Sequence, residues 1–172
     1  MNLFSTAVAS PFGPVRVVVD HDEQLVRVDL PGKAPSVDAV EDGARCARAA
    51  EQLAEYFAGT RQTFSLDLAP KGTPFQLAVW QALRDIPFGT TITYAELARR
   101  VGRPAAVRAV GTANRENPIP IVIPCHRVIG ADGKLVGFGG GLALKRALLE
   151  HEGLRVLGQG ARAWVAGLRR SG

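Results

Sequence analysis

Three prolines, Pro118, Pro120 and Pro124, punctuate the segment Asn117–Val128 and restrict its backbone more than any other stretch of the chain. Because each proline fixes φ and removes a backbone N–H, helix is excluded on either side of the apolar run Ile121–Ile123. β-Branched side chains suit a buried pleated surface, so this run is predicted to form a short buried strand. A cysteine and a histidine follow it directly, which places both at the end of a core element.

A cysteine is a nucleophile only as the thiolate, and its ordinary pKa of about 8.5 must be lowered by basic neighbours or a helix N-terminus. His126 and Arg127 are basic neighbours of Cys125 in the sequence. Leucines at helical spacing downstream predict a helix that begins near Leu142 and ends at Glu152, whose carboxylate could reach His126. The three side chains would then form an activation relay. The alternative is an inert buried cysteine.

Composition limits the size of the protein, its partners and its cellular compartment. The chain has 172 residues, 47% of them hydrophobic, which is enough for one or two small domains with a core. A net charge of +5 favours an anionic partner, nucleic acid before lipid. Cys46 and Cys125 form neither a disulfide framework nor a zinc motif. No apolar run approaches about 20 residues and no secretory pattern opens the chain, so we expect a cytoplasmic protein without a membrane partner.

The first part of the chain has the alternation of β-strands. It predicts an antiparallel meander with strands within residues 3–8, 15–19 and 24–30. Apolar residues at three- and four-residue spacing then predict an amphipathic helix over residues 38–58, packed on one face of the sheet and ending at Gly59. A further short strand is predicted at Phe64–Leu68. Residues 69–74 have the composition of a linker, so the predicted domains are residues 1–70 and 71–172.

The second part is predicted to be mostly helical. Thr73 is placed to cap a helix that starts at Pro74. Its expected buried stripe comprises Phe75, Ala78, Val79, Ala82 and Leu83.

Two more helices follow, Tyr94–Val101 capped by Thr93 and Ala105–Arg115, joined by a three-residue turn that contains glycine. This pattern predicts a helix-turn-helix, although generic helical hairpins share it. Beyond Gly153, the arginine-rich tail is either a solvated C-terminus with Trp164 packed on the domain or a basic arm that contacts phosphates.

The motifs Asn117-Pro118, Pro124-Cys125-His126-Arg127-Val128 and the Gly-Gly-Leu-Ala-x-Lys start of the last helix resemble one known family. It comprises the O6-alkylguanine-DNA alkyltransferases, also called methylated-DNA–protein-cysteine methyltransferases. The similarity is collinear from about Phe75 to about Gly153. It implies an α+β fold of two small domains: an N-terminal antiparallel sheet with one packed helix, RNase H-like, and a mostly helical C-terminal domain with a helix-turn-helix.

The resemblance also implies direct-reversal DNA repair. The partner would be double-stranded DNA that contains O6-alkylguanine, and the damaged base would be flipped out of the duplex. Cys125 would take the alkyl group irreversibly, in a single turnover, with no cofactor and no metal. We expect a monomer, and assembly of several copies along DNA stays open.

The family's site residues carry over position by position. Arg108 matches an arginine that fills the vacated base stack. Arg103 and Arg115 are expected to contact DNA because they add positive charge to the same helix-turn-helix. Tyr94 would donate a proton to guanine N3, or else act only as a buried residue that caps a helix. Asn117 would brace the turn that carries the cysteine.

The remaining matches concern the base pocket. The backbone carbonyls of Cys125 and Val128 would accept from the exocyclic amine of the base, and residues 136–140 would form a lid. Many family members have tyrosine and then serine or alanine in this lid, whereas this chain has Phe138 and Gly139. Lys145 would support the site without acting in catalysis.

Two other functions are compatible with parts of the sequence. One is a damage sensor that binds alkylated DNA without transfer, which the presence of Cys125 argues against. The other is a cysteine hydrolase that uses Cys125, His126 and Glu152. It would leave Arg108 and the positive charge unexplained, and it would require an oxyanion hole.

Overall fold

In the computed structural model, which describes residues 2–167, the chain divides into two compact units. The first unit runs to Lys71 and also takes in Pro118–Val122. The second comprises Gly72–Asn117 and the chain from Ile123 onward. The mixture of helices and small sheets confirms the predicted α+β class. The predicted limits, 1–70 and 71–172, did not include the discontinuous segment.

The valine-rich start of the chain forms the sheet of the first unit. Strands β1 (Phe4–Val8), β2 (Val15–Val19) and β3 (Leu25–Asp29) make the predicted antiparallel meander. A short strand that was not predicted, β4 (Val40–Glu41), pairs parallel to β1. The strand order is therefore β3-β2-β1-β4.

Helix α1 (Gly43–Phe57) covers this sheet by packing on β1 and β2. The helix begins later than predicted because Asp42 is extended and its side chain accepts from the N–H of Arg45 at 3.1 Å. An acceptor at this position satisfies one of the free N–H groups of the first turn. Cys46 and Tyr56 lie fully buried on the inner face.

Two predicted strands are wrong. Residues 64–67 form no strand, and Leu68 makes only an isolated bridge with Leu25. Residues 121–123 are buried as expected, but Ile121 has a φ of 74° and lies in a turn. The prolines at 118, 120 and 124 cannot donate to a strand ladder, which explains why an apolar β-branched run does not extend into a sheet here.

Helix α2 (Pro74–Leu83) opens the second unit with the predicted cap. Thr73 accepts from the N–H of Gln76 at 3.2 Å, and the Gln76 side chain accepts from the Thr73 N–H at 2.9 Å. This reciprocal pair is a capping box. The buried stripe differs from the prediction, because Ala78 is exposed and Trp80 is buried, with its indole N–H donating to the Ala113 carbonyl at 2.8 Å.

The remaining elements of the second unit are short. They are β5 (Ile92–Thr93), α3 (Tyr94–Arg100), α4 (Val107–Arg115), β6 (Val128–Ile129), α5 (Leu142–His151), β7 (Val156–Leu157) and β8 (Trp164–Val165). β5 runs parallel to β6, and β7 runs antiparallel to β8. α4 packs against both α2 and α3. The connection from α3 to α4 spans Val101 to Ala106, longer than the predicted turn.

The tail is folded as far as it is described. Val156, Ala163 and Val165 are buried in one cluster with residues of α5 and the preceding loop. Trp164 stays 41% exposed, so it is less packed than expected. Arg169 and Arg170, which were considered as part of a basic arm, lie outside the described residues. None of the helices within residues 2–167 is long and apolar enough to cross a membrane.

The capping box yields a stability prediction. Thr73→Ala removes the side-chain acceptor for the Gln76 N–H and should lower the free energy of unfolding by about 1 kcal/mol. Urea denaturation followed by tryptophan fluorescence measures the change. Thr73→Ser retains the oxygen and should cost far less, and an equal loss for the two variants would contradict a capping role.

Candidate active site

Cys125 begins a single 3-10 turn, Cys125–Arg127, and its side chain is buried. Two amide side chains brace the main chain around it. Asn114 donates to the Cys125 carbonyl at 3.3 Å, and Asn117 donates to the Ile123 carbonyl at 2.7 Å. These backbone contacts therefore fix the position of the thiol.

The thiol is not activated in the absence of substrate. Burial raises the pKa of Cys125 above its ordinary value, and the opposing effects of an Asn117 hydrogen bond and the Lys145 charge do not cancel it. The Arg127 guanidinium, a basic neighbour in the sequence, is turned instead to Glu152 and the Ile86 carbonyl. A base is needed to take the thiol proton.

His126 is fully buried and has one ring nitrogen available for that purpose. Its Nε2 lies 2.6 Å from Glu152 Oε2, while Nδ1 has no hydrogen-bond partner within residues 2–167. Because Glu152 is a carboxylate, Nε2 carries the proton and donates, which leaves the lone pair on Nδ1. Burial lowers the pKa of His126, against the effect of Glu152, so the ring is neutral and Nδ1 is an acceptor.

Glu152 caps the C-terminus of α5 and accepts hydrogen bonds from two other segments, the turn at residues 125–127 and the loop at Gly89. Arg127 donates twice, at 2.8 and 3.1 Å, and the Gly89 N–H donates at 3.1 Å. Burial would raise the pKa of Glu152, but hydrogen bonds and charges from His126 and Arg127 outweigh it and hold that pKa well below its usual range. Gly89 has a φ of +73°, and a Cβ there would lie 3.1 Å from the Glu152 carbonyl, so glycine permits this approach.

A second group of side chains holds the loop at residues 136–137. Tyr94, the first residue of α3, directs its hydroxyl to the carbonyls of Val136 (2.9 Å) and Gly137 (3.1 Å). Burial and then the charge of Cys125 raise the pKa of Tyr94 to about 12, so the hydroxyl keeps its proton. The fully buried Lys145 donates to the carbonyls of Val128 (2.5 Å) and Val136 (2.9 Å).

Lys145 is a cation held close to the thiol. Burial lowers its pKa to about 8, with an opposing effect from Cys125. The ammonium therefore stays charged at neutral pH and would stabilise a thiolate. In the loop beyond it, Phe138 is half-buried and Gly139 is exposed.

The three arginines chosen from the sequence lie at different points of the predicted helix-turn-helix. Arg103 lies exposed between α3 and α4, and Arg108 lies exposed on α4 beside a groove of about 650 Å³. That groove is bordered by the start of α2, by Ala105 just before α4, and by the small residues Ala109 and Thr112 of α4. Arg115 lies at the end of α4 against Gly137 of the loop.

Two residues of the site were missed from the sequence. Arg127 was read as a neighbour of the thiol rather than as the partner of Glu152. Asn114 was not singled out at all, although it precedes Asn117 by three residues. That spacing often puts two side chains on one face of a helical segment, and it was the available signal.

One group of side chains in residues 2–167 has ligand atoms close enough to hold a metal ion. Asp20, His21 and Asp22 of the first unit offer atoms within 4.8 Å of one another. Asp20 already accepts from the N–H groups of Asp22 and Gln24, both at 3.0 Å. Three ligands, of which Asp20 is buried and the other two are exposed, make a poorer donor set than the four of a structural zinc site.

The buried ion pair predicts a large effect of one substitution. Arg127→Met removes two donors from the buried Glu152 carboxylate and should lower the free energy of unfolding by about 3–5 kcal/mol. Arg99→Met breaks an exposed pair with Glu96 and should cost about 0–1 kcal/mol. Chemical denaturation of both variants measures the difference, and similar losses would refute the buried-pair argument.

Lys145 predicts a specific pH dependence of stability. Its pKa is about 8 in the folded chain, below the value of about 10.5 expected after unfolding, so the unfolded state binds more protons between these values. The contribution of Lys145 to stability should therefore rise with pH from about 8 to about 10. Urea denaturation of wild type and Lys145→Met across this interval isolates it. A stability difference that stays flat would contradict the assignment.

The part of the chain that contains this site matches a known protein family. Residues 74–154 match the family described as "6-O-methylguanine DNA methyltransferase, DNA binding domain". A methylated-DNA–protein-cysteine methyltransferase of Methanosarcina barkeri is 46% identical over 154 residues, which cover 87% of this chain and 97% of the relative. One of Mycobacterium leprae is 47% identical, over 86% and 91% of the two chains.

Solved structures match over a similar extent. The crystal structure of Mycobacterium tuberculosis O6-methylguanine methyltransferase superimposes with a TM-score of 0.80 at 44% identity, covering 87% of this chain and 92% of the other. The structure of Mycobacterium tuberculosis OGT in complex with DNA gives the same TM-score and identity, over 88% and 92% of the chains.

Proposed function

Because the chain belongs to the family of methylated-DNA–protein-cysteine methyltransferases, we propose that it repairs DNA by moving the alkyl group of O6-alkylguanine onto Cys125. The single observation that carries this proposal is the buried thiol next to a neutral His126 whose Nδ1 is unpartnered and whose Nε2 is held by Glu152. This arrangement supplies a base for a thiol that burial keeps protonated.

The chemistry uses the side chains in a fixed order. His126 accepts the thiol proton at Nδ1, through a water because adjacent side chains diverge, and Glu152 stabilises the imidazolium that forms. The thiolate attacks the alkyl carbon, the bond from that carbon to O6 breaks, and guanine leaves. Tyr94 gives a proton to N3 of the leaving base, and Asn117 keeps the nucleophile in place. Lys145 stabilises the thiolate by its charge.

The base pocket lies between the Cys125 turn and the loop at residues 136–140. The carbonyls of Cys125 and Val128 accept from the exocyclic amine, and the Gly139 N–H faces O6. Val128 already accepts from Lys145, which orients its carbonyl. Because the lid has Phe138 and Gly139, these two positions supply no side-chain hydroxyl to O6.

Helices α3 and α4 bind DNA as a helix-turn-helix, and the net charge of +5 favours contact with the phosphates. Arg108 enters the base stack when the lesion is flipped out, and Arg103 and Arg115 contact the duplex. The small residues of α4 that border the groove beside Arg108 allow close approach in the minor groove. We assign DNA binding and catalysis to the second unit, and an RNase H-like fold to the first.

The reaction stops after one turnover. A thioether at Cys125 has no leaving group, and we assign no second nucleophile within residues 2–167 to remove the alkyl group, so each molecule acts once. Neither a metal nor an organic cofactor takes part in any of these steps. We propose that the protein acts as a cytoplasmic monomer.

Intact mass after incubation with duplex DNA that carries O6-methylguanine tests this function. Wild type should gain about one methylene, once only, while Cys125→Ser should gain nothing because it lacks the nucleophile. DNA binding without any gain in mass would favour the second candidate, a sensor of alkylated DNA that performs no transfer.

A further inference from the structure

Arg115 lies beside the hydroxyl of Tyr94 at the loop. A Cβ placed on Gly137 would be 3.4 Å from Arg115 Nη1 and equally 3.4 Å from the Tyr94 oxygen. The guanidinium and the hydroxyl therefore flank the same point of the loop. Gly137 has a φ of +55°, so both the conformation and the close neighbours favour glycine at this place.

The charge of Arg115 is not neutralised by a carboxylate within residues 2–167. Arg115 donates a long hydrogen bond from Nη2 to Thr112 Oγ1 at 3.4 Å. Other arginines of the second unit differ in this respect. Arg99 is paired with Glu96 and Arg127 with Glu152, both at short distances. The charge of Arg115 acts on the nearby Tyr94 hydroxyl, whose pKa it lowers.

The groups around the Tyr94 hydroxyl have opposite effects on its acidity. Burial and the charge of Cys125 raise the pKa of Tyr94, whereas Arg115 and a hydrogen bond from Asn114 lower it. The ammonium of Lys145 lies 5.8 Å from the centre of the Tyr94 ring. A tyrosine with a raised pKa is a poor acid unless cations stabilise the phenolate that it becomes.

We propose that Arg115 is a positioning residue for Tyr94, which assists departure of the guanine, rather than mainly a grip on phosphates. This inference rests on the proposed function. As the C–S bond forms and the bond from carbon to O6 breaks, the electron pair passes to guanine and the Tyr94 proton passes to N3. The phenolate left behind is stabilised by the Arg115 guanidinium and regains its proton from water after the base leaves.

Removing the proton acceptor from the substrate tests this role. Single-turnover transfer rates are measured at saturating duplex for O6-methylguanine and for O6-methyl-3-deazaguanine, in which a C–H replaces N3. Arg115→Met keeps the length of the side chain without its charge. It should slow transfer from O6-methylguanine about tenfold, which is part of the rate enhancement that a positioned general acid supplies. It should hardly affect transfer from the 3-deaza lesion.

Three further variants make the result specific. Arg115→Lys should restore most of the rate because it restores a charge. In a Tyr94→Phe background, Arg115→Met should cause no further loss, since the group on which it acts is gone. Arg103→Met, in the same helix-turn-helix, should weaken binding to both duplexes alike and leave the ratio of the two saturated rates unchanged.

Equal slowing of both lesions by Arg115→Met, or an undiminished loss in the Tyr94→Phe background, would overturn the inference and return Arg115 to DNA binding. Failure of the wild type to methylate Cys125 from either duplex would instead refute the proposed function. The two failures are distinguished by the wild-type rate.

Discussion

The carboxylate of Glu152 is the interaction on which the arrangement of the site depends. A buried carboxylate is tolerated only when donors replace its lost hydration, and here they come from Gly89, His126 and Arg127. These residues belong to the loop after α2 and to the turn that carries the cysteine, while Glu152 itself ends α5. The Glu152 carboxylate therefore holds these three segments together. Through its contact with His126 it also sets which nitrogen of the imidazole carries the proton.

The loop at residues 136–137 is held in a different way, through its backbone carbonyls instead of through a carboxylate. Tyr94 and Lys145 converge on the Val136 carbonyl from two different helices, and Tyr94 also reaches Gly137. Their contacts hold the start of the loop in place before any base arrives. The hydroxyl that serves as an acid in the proposed reaction is thus occupied by loop carbonyls in the free protein, and it must exchange them for the base.

Local signals in the sequence were sufficient for much of the fold. Alternating valines predicted β1 to β3, and the Thr73-Pro74 pair predicted the start of α2, because these features depend on neighbouring residues alone. The buried run at 121–123 was misread as a strand, since β-branched composition reports burial but not whether N–H donors have partners. Trp80 was missed for a similar reason: its partner, the Ala113 carbonyl, is distant in sequence.

The same limit applies to the site. Proximity in the chain drew attention to Cys125 and His126, and the predicted end of a helix drew attention to Glu152, which is in contact with His126. It also suggested that Arg127 would act on the thiol, whereas the guanidinium is directed away to Glu152. Adjacent side chains diverge, so neighbours in the sequence are poor guides to which groups interact electrostatically. Lys145, twenty residues from the cysteine, acts on the thiol electrostatically instead.

The discontinuity of the first unit has a consequence for how the protein can be divided. Pro118–Val122 belong to that unit, and the Val28 N–H donates to the Pro118 carbonyl at 2.9 Å. A cut after Lys71 would thus separate this pentapeptide from the rest of its unit. The apolar side chains of Ile119 and Ile121, a few residues ahead of the nucleophile, would then be exposed to water. The boundary that looks like a linker in the sequence is a poor place to truncate the chain, and a stand-alone catalytic fragment would need those positions redesigned with polar residues.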